Sequence, residues 1–209
     1  MPLAQVLVDF KASVAQCESL IANAHKADAA GAPIFPTIDR QQITVAAFLN
    51  MFIAWESFLE SSLAELMTGG LTIGGAAPVK YVSPPTVPHA LALVIGVMRF
   101  FDYANHSYVR KIVNMYFQHG YPYEPHLSAI EADLNDIRAM RNASAHISSA
   151  TQTGLESLAL RISGAPNIGI SLYQLLTMVD PRPGAAPDET VFVTCKNKLV
   201  VTAELIAQG

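Results

Sequence analysis

Apolar residues return every three or four positions in the first part of the chain: Leu3, Val6, Leu7, Phe10, Val14, Cys17, Leu20 and Ile21. That period is one face of an α-helix and predicts an amphipathic helix from residue 3 to about residue 29, closed by Gly31 and Pro33. The next segment, DRQQITVAAFLNMFIAWESFLESSLAELMTGG, starts from a capping Thr37 or Asp39 and stops at Gly69-Gly70. It stays apolar on most faces through Trp55, the mark of a central helix.

Residues 69–88 carry four glycines and four prolines and read as a loop, the best place for a mobile flap. Its glycines do not make a phosphate-binding loop, because no Gly-Lys-Ser/Thr follows and Lys80 sits behind Pro78 instead of opening a helix. Helical spacing returns from His89 to about Phe117, with a possible break near Asn105, and QHGYPYEP is the next interruption. In HLSAIEADLNDIRAMRNASAHISS, Leu127, Ile130, Leu134, Ile137 and Met140 (or Arg141) form a helical stripe, with Glu131, Asp133 and Asp136 turned outward. Two shorter helices follow, at 151–162 and 168–179, and then the loop DPRPGAAPD. The β-branched run TVFVT leaves helix or strand open for the last segment, 190–208, which is taken as helix. The expected architecture is all-α: an antiparallel helical bundle in one domain spanning 1–209.

Composition narrows the function. The chain has 209 residues, 51% of them apolar and 14% charged, which suits one folded core and excludes a disordered chain. Thirteen basic against 17 acidic side chains give a net charge of −4, so a broad electrostatic grip on nucleic acid is excluded and any contact with it must be local. Cys17 and Cys195 match neither a zinc spacing nor a disulfide framework and are expected as reduced, buried thiols. The N-terminus has no basic region before its apolar residues, and Asp9 and Lys11 interrupt the run, so no export signal is expected. ITVAAFLNMFIAW and HALALVIGVM fall short of the ~20 residues that span a bilayer, which leads to the expectation of a cytoplasmic protein without a membrane partner.

The densest chemistry is DIRAMRNASAHISS, with Arg141, Asn142 and His146 inside six residues. On a helix Asn142 and His146 share a face, and Arg138 lies one turn before Asn142 on that face. Arg141 is about 140° from His146, so one chain does not close a site by itself. Two copies of the helix facing each other across a two-fold axis give a composite cleft with two arginines and two histidines. Such a cleft suits RNA cleavage without a metal or cofactor: the histidine moves protons, the guanidinium holds the phosphate, and Asn142 orients phosphate or imidazole. A simpler role is also open, in which these cations terminate a helix and complement its dipole by about 0.3–1 kcal/mol. Glu56 and Glu60 stand four apart on the apolar helix without the Glu-x-x-His partners of a di-metal bundle, and Glu56 suits a bond to Arg141 or Arg138.

The R-N-x-x-x-H pattern at a helix end, after an apolar helix bearing FIAWESFLE, resembles the HEPN superfamily of small helical ribonucleases and toxins, and most of all its RiboL-PSP type. The best-supported core of the resemblance is 36–150, flanked by additional N- and C-terminal helices. It implies a homodimer and metal-independent endoribonuclease activity with a cyclic phosphate product. It also implies a role in a toxin–antitoxin or antiviral defence system, with RNA as substrate and an antitoxin or defence-system protein as a possible partner. Arg141 and His146 match the catalytic pair, Asn142 the polar residue after the arginine, and Glu56, loosely, an acidic position on the earlier helix. The alternatives are a non-catalytic HEPN-type dimerisation and binding module, and a toxin half held silent by a partner.

Overall fold

The computed structural model describes residues 2–145 and 148–209. Among them it has nine α-helices, one 3-10 turn at Gln118–Gly120 and three isolated β-bridges, so the all-α class is as expected. The helices are α1 (Leu3–Ala24), α2 (Thr37–Met67), α3 (Val87–Ile95), α4 (His106–Tyr116), α5 (Glu124–Ala129), α6 (Glu131–Ala145), α7 (Ser149–Ser163), α8 (Leu172–Thr177) and α9 (Val191–Gln208).

Local chemistry moves several boundaries. α1 stops at Ala24 rather than near 29, because Asp28 folds the chain back: its Oδ1 accepts from the N–H groups of Ala30 (2.8 Å) and Ala32 (2.9 Å), and Ala27 bridges to Pro33. Thr37 is the first helical residue of α2 and not its cap; the Pro36 carbonyl accepts from Arg40 N–H at 3.1 Å. The break near Asn105 opens into a connection between α3 and α4, beginning at Gly96 with φ +59. The stripe from Leu127 to Met140 falls on two helices, α5 and α6, divided at Ile130 (φ −116). TVFVT belongs to a helix, since in α9 Val191, Phe192, Thr194 and Cys195 are all buried.

The chain divides into two compact units. The first comprises Met1–Ala12, Ala54–Asn135 and Lys198–Gly209. Its core is aromatic: the Trp55 ring lies 5.7 Å from Phe58, and Phe58 lies 5.4 Å from Phe10. Two buried polar pairs lie in this core, Trp55 Nε1–H donating to His106 Nε2 at 3.0 Å and the Tyr123 hydroxyl to Ser62 Oγ at 3.0 Å. Burial pushes the Tyr123 hydroxyl above its ordinary pKa. The loop expected as a flap is tied at four points. Lys80 Nζ donates to the Met67 carbonyl (2.9 Å), Tyr81 N–H to Tyr116 (2.9 Å), Gln118 N–H to Val79 (2.9 Å) and Ile73 N–H to Ala207 (2.8 Å). Gly74 permits that last approach, since a Cβ there would stand 2.7 Å from the Gln208 carbonyl oxygen.

The second unit comprises Ser13–Ile53 and Asp136–Asn197. Phe48, Met51, Ile137, Leu158, Leu175 and Val191 are among its buried residues. Cys17 and Cys195 are free and buried here, and burial, with Glu18 adding to it, pushes the Cys17 thiol up. Both α7 and α8 start with a capping box, Ser148 with Thr151 and Ser171 with Gln174.

Of the described helices only α2 is long and apolar enough to cross a membrane by length and composition. Its apolarity has another use: Phe48, Met51 and Phe52 are buried in the second unit, and Trp55, Phe58, Leu59 and Leu63 in the first.

Candidate functional site

Arg138, Arg141 and Asn142 lie on the part of α6 that belongs to the second unit, and charge anchors that part at its start. Asp136 accepts from Arg161 of α7 and stands 3.7 Å from Arg182 Nη1 in the loop after α8. Arg182 also grips Asp180 with Nε (2.9 Å), Nη2 (2.7 Å) and its own backbone N–H (3.0 Å). The Asp180 side chain is fully buried. Burial alone would raise its pKa, but the Arg182 side chain and backbone bonds, with the Thr194 hydroxyl, outweigh it and hold the carboxyl below its ordinary range. The result is a fixed strut, Asp180–Arg182–Asp136–Arg161, under α6.

The far end of α6 is finished by its own side chain, the Ser144 hydroxyl donating to the Arg141 carbonyl at 2.6 Å. Arg138 and Arg141 are half-buried and Asn142 is exposed on this end. The candidate catalytic residue His146 lies outside the described residues. Glu56 is half-buried on α2 and belongs to the first unit, whereas the two arginines and Asn142 belong to the second. Of the histidines near the motif in sequence, His119 is exposed in the 3-10 turn with φ +56, and His126, on α5, is lowered in pKa by burial; both belong to the first unit. Among the described residues no group of three or more His, Cys, Asp or Glu is placed to hold a metal ion.

The sequence did not disclose that the end of α6 walls a groove. One face of α2 (Ile38, Gln41, Gln42, Val45, Ala46 and Leu49), Ala143 and Ser144 of α6, the start of α7 from Ser148 to Leu155, and Ser171, Leu172 and Tyr173 enclose about 500 Å³. That volume is within the range of small-ligand sites, about 300–1,000 Å³. No described lining residue is ionisable near neutral pH; the described walls are aliphatic, with amides, hydroxyls and one phenol between them. Most of those polar groups are already used. Ser148 and Thr151 bond each other, Gln152 donates to Glu156 (3.1 Å) and to the Ile170 carbonyl (3.1 Å), and Ser171 bonds Gln174. The amides of Gln41 and Gln42 and the Tyr173 hydroxyl make no hydrogen bond to another described residue. The Tyr173 ring stacks on His25, with centroids 6.1 Å apart and planes 6° apart. Arg141 precedes Ser144 by three residues and so stands on the same side of α6 as that groove residue. The signal in the sequence was Gln41-Gln42, two amides opening an otherwise apolar helix; it reads as a polar first turn until α7 and α8 are placed beside it.

Fold and site together define an all-α protein with a groove, uncharged in its described lining, beside an arginine-bearing helix end. No protein-family model, curated protein or solved structure matches the chain.

Proposed function

We propose that the protein is a metal-independent endoribonuclease of the HEPN type, acting as a homodimer in which two copies of the α6 end complete one site. The observation that supports it most is the placement of Arg138, Arg141 and Asn142 on consecutive turns of one helix end that also walls a groove. In the reaction, the ribose O2′ attacks the adjacent phosphorus, the O2′–P bond forms and the P–O5′ bond breaks, leaving a 2′,3′-cyclic phosphate and a free 5′-hydroxyl. One His146 takes the 2′-hydroxyl proton and the other gives a proton to O5′, a division of labour that calls for two copies. The Arg141 guanidinium offsets charge on the pentacoordinate phosphorus, and Arg138 and Asn142 position the chain. The role in toxin–antitoxin or antiviral defence follows from the same resemblance.

The test is cleavage of structured and unstructured RNA by the purified protein with EDTA present. His146→Ala and Arg141→Ala are each expected to lower the rate by about 100-fold or more. Undiminished cleavage by His146→Ala removes the mechanism. The groove, whose described lining carries no charge, favours a second reading, a HEPN-type dimer that binds without cutting; a stable dimer with no cleavage and an indifferent Arg141→Ala would establish it in place of the first.

A further inference from the structure

We infer that the groove between α2, α6, α7 and α8 is a binding site for an uncharged, flat heteroaromatic ring, a nucleobase presented as a nucleoside or within an RNA strand. The choice of a base among such rings rests on the ribonuclease reading; the neutral, flat, edge-bonding character rests on the groove itself.

Three properties carry it. Among the described residues the lining has no side chain charged at neutral pH, so a phosphate, carboxylate or ammonium placed against them would lose its hydration without a counter-charge. The aliphatic residues Ile38, Val45, Leu49, Leu155 and Leu172 offer dispersion contact to ring faces. The hydrogen-bonding capacity left over is concentrated on Gln41 and Gln42. A primary amide presents one acceptor and a pair of donors in a plane, which matches the adjacent donor and acceptor on a base edge. Gln41 is half-buried, so its unused amide is partly desolvated and gains when a ligand edge meets it. The charged part of a nucleotide would stay outside, toward the arginine-bearing end of α6, so the groove reads the base and not the phosphate.

Isothermal titration of the full chain with adenosine, guanosine, cytidine and uridine tests this, because nucleosides have a base edge and no phosphodiester. A parallel arm uses short 2′-O-methylated oligonucleotides, which bind without being cut and separate a base held in a strand from a free nucleoside. At least one nucleoside or oligonucleotide is expected to bind. Gln41→Leu should weaken binding about ten-fold, and Ala46→Phe, filling the groove from an exposed position, should abolish it without lowering the melting temperature. Absence of binding in both arms, or binding that survives Ala46→Phe, overturns the inference. The ribonuclease reading fails separately: bases that bind without RNA being cleaved leave the groove assignment standing, while cleavage without groove-dependent binding removes the groove assignment alone.

Discussion

The two units differ in what they do with polar atoms. In the first, Trp55 donates to His106 and Tyr123 to Ser62 inside the core, and nearer the surface Arg110 holds both Glu124 and Glu131. In the second, the strongest charges are locked in the strut under α6, yet two glutamine amides and a phenol stand unused around a groove. Ligand sites are concave and mostly apolar with a few placed polar groups, and the described lining of the groove has that make-up. The contrast is the reason the proposed binding site is placed in the second unit.

The sharpest way to break that contrast is to remove mass from one unit and add it to the other. Trp55 is fully buried, and Trp55→Ala deletes its contacts with Phe58 and the bond to His106. Urea unfolding should show a loss of about 3–5 kcal/mol. Ala46→Leu adds mass to the groove at an exposed position and should stay within about 0.5 kcal/mol of the parent. Comparable losses from the two would mean that the groove is core and the division is false.

How much of this the sequence disclosed follows from the range of each interaction. Helical period is local, and it placed α1, α2 and α6 and the all-α class, because burying one face every three or four residues needs no knowledge of the partner, whereas the last segment was open between helix and strand. Ends were less legible where a single side chain decides: Asp28 ended α1 early by capturing two N–H groups, and a cap is invisible until its geometry exists. The candidate site was legible only in part. Arg138, Arg141 and Asn142 do share one helix end, as their spacing predicted. The groove is built from α2, α7 and α8 residues more than 100 positions apart, such as Gln41 and Leu155, and no local pattern joins them. Asp180 and Arg182 looked like loop polarity in DPRPGAAPD; only burial makes them a strut.

The strut gives the next largest expected effect. Removing Arg182 leaves the Asp180 carboxylate buried without its guanidinium, and Arg182→Ala should cost about 3 kcal/mol at pH 7, the lower end for a broken buried pair because the Arg182 side chain is 22% exposed. The pH dependence identifies the cause. Asp180 is held below its unfolded pKa in the parent, so its stabilisation is complete above about pH 4 and is lost as pH falls through the lower folded value. In Arg182→Ala the guanidinium is gone while burial, the largest cause, remains, opposed only by the backbone N–H of residue 182 and the Thr194 hydroxyl, so the Asp180 pKa rises above the parent's and protonation in acid relieves the variant. The gap between parent and variant should therefore narrow from pH 7 to about pH 3, and a gap that stays constant would show that packing, not charge, supports α6.

The smallest effect concerns two histidines among the described residues that meet aromatic rings, one in each unit. His106 accepts from Trp55 inside the first core, whereas His25 lies at the surface of the second, stacked on the groove residue Tyr173. The Thr44 hydroxyl donates to the Arg40 carbonyl at 2.8 Å and so accepts from His25 Nε2 at 3.2 Å. Partial burial lowers the His25 pKa, and the Arg40 charge lowers it further. The fold thus prefers the neutral ring, and stability present above about pH 6.5 declines as pH falls through the unfolded pKa, where the unfolded chain takes up the proton first. An NMR titration should place the His25 midpoint below about 6.5. Arg40→Gln should move it upward but not all the way, because burial is the larger cause and remains. A midpoint at the ordinary value, or one indifferent to Arg40→Gln, would mean that His25 is solvated and that the stack on Tyr173 does not hold in solution. The groove would then have one rigid wall fewer, and discrimination among bases would fall to Gln41 and Gln42.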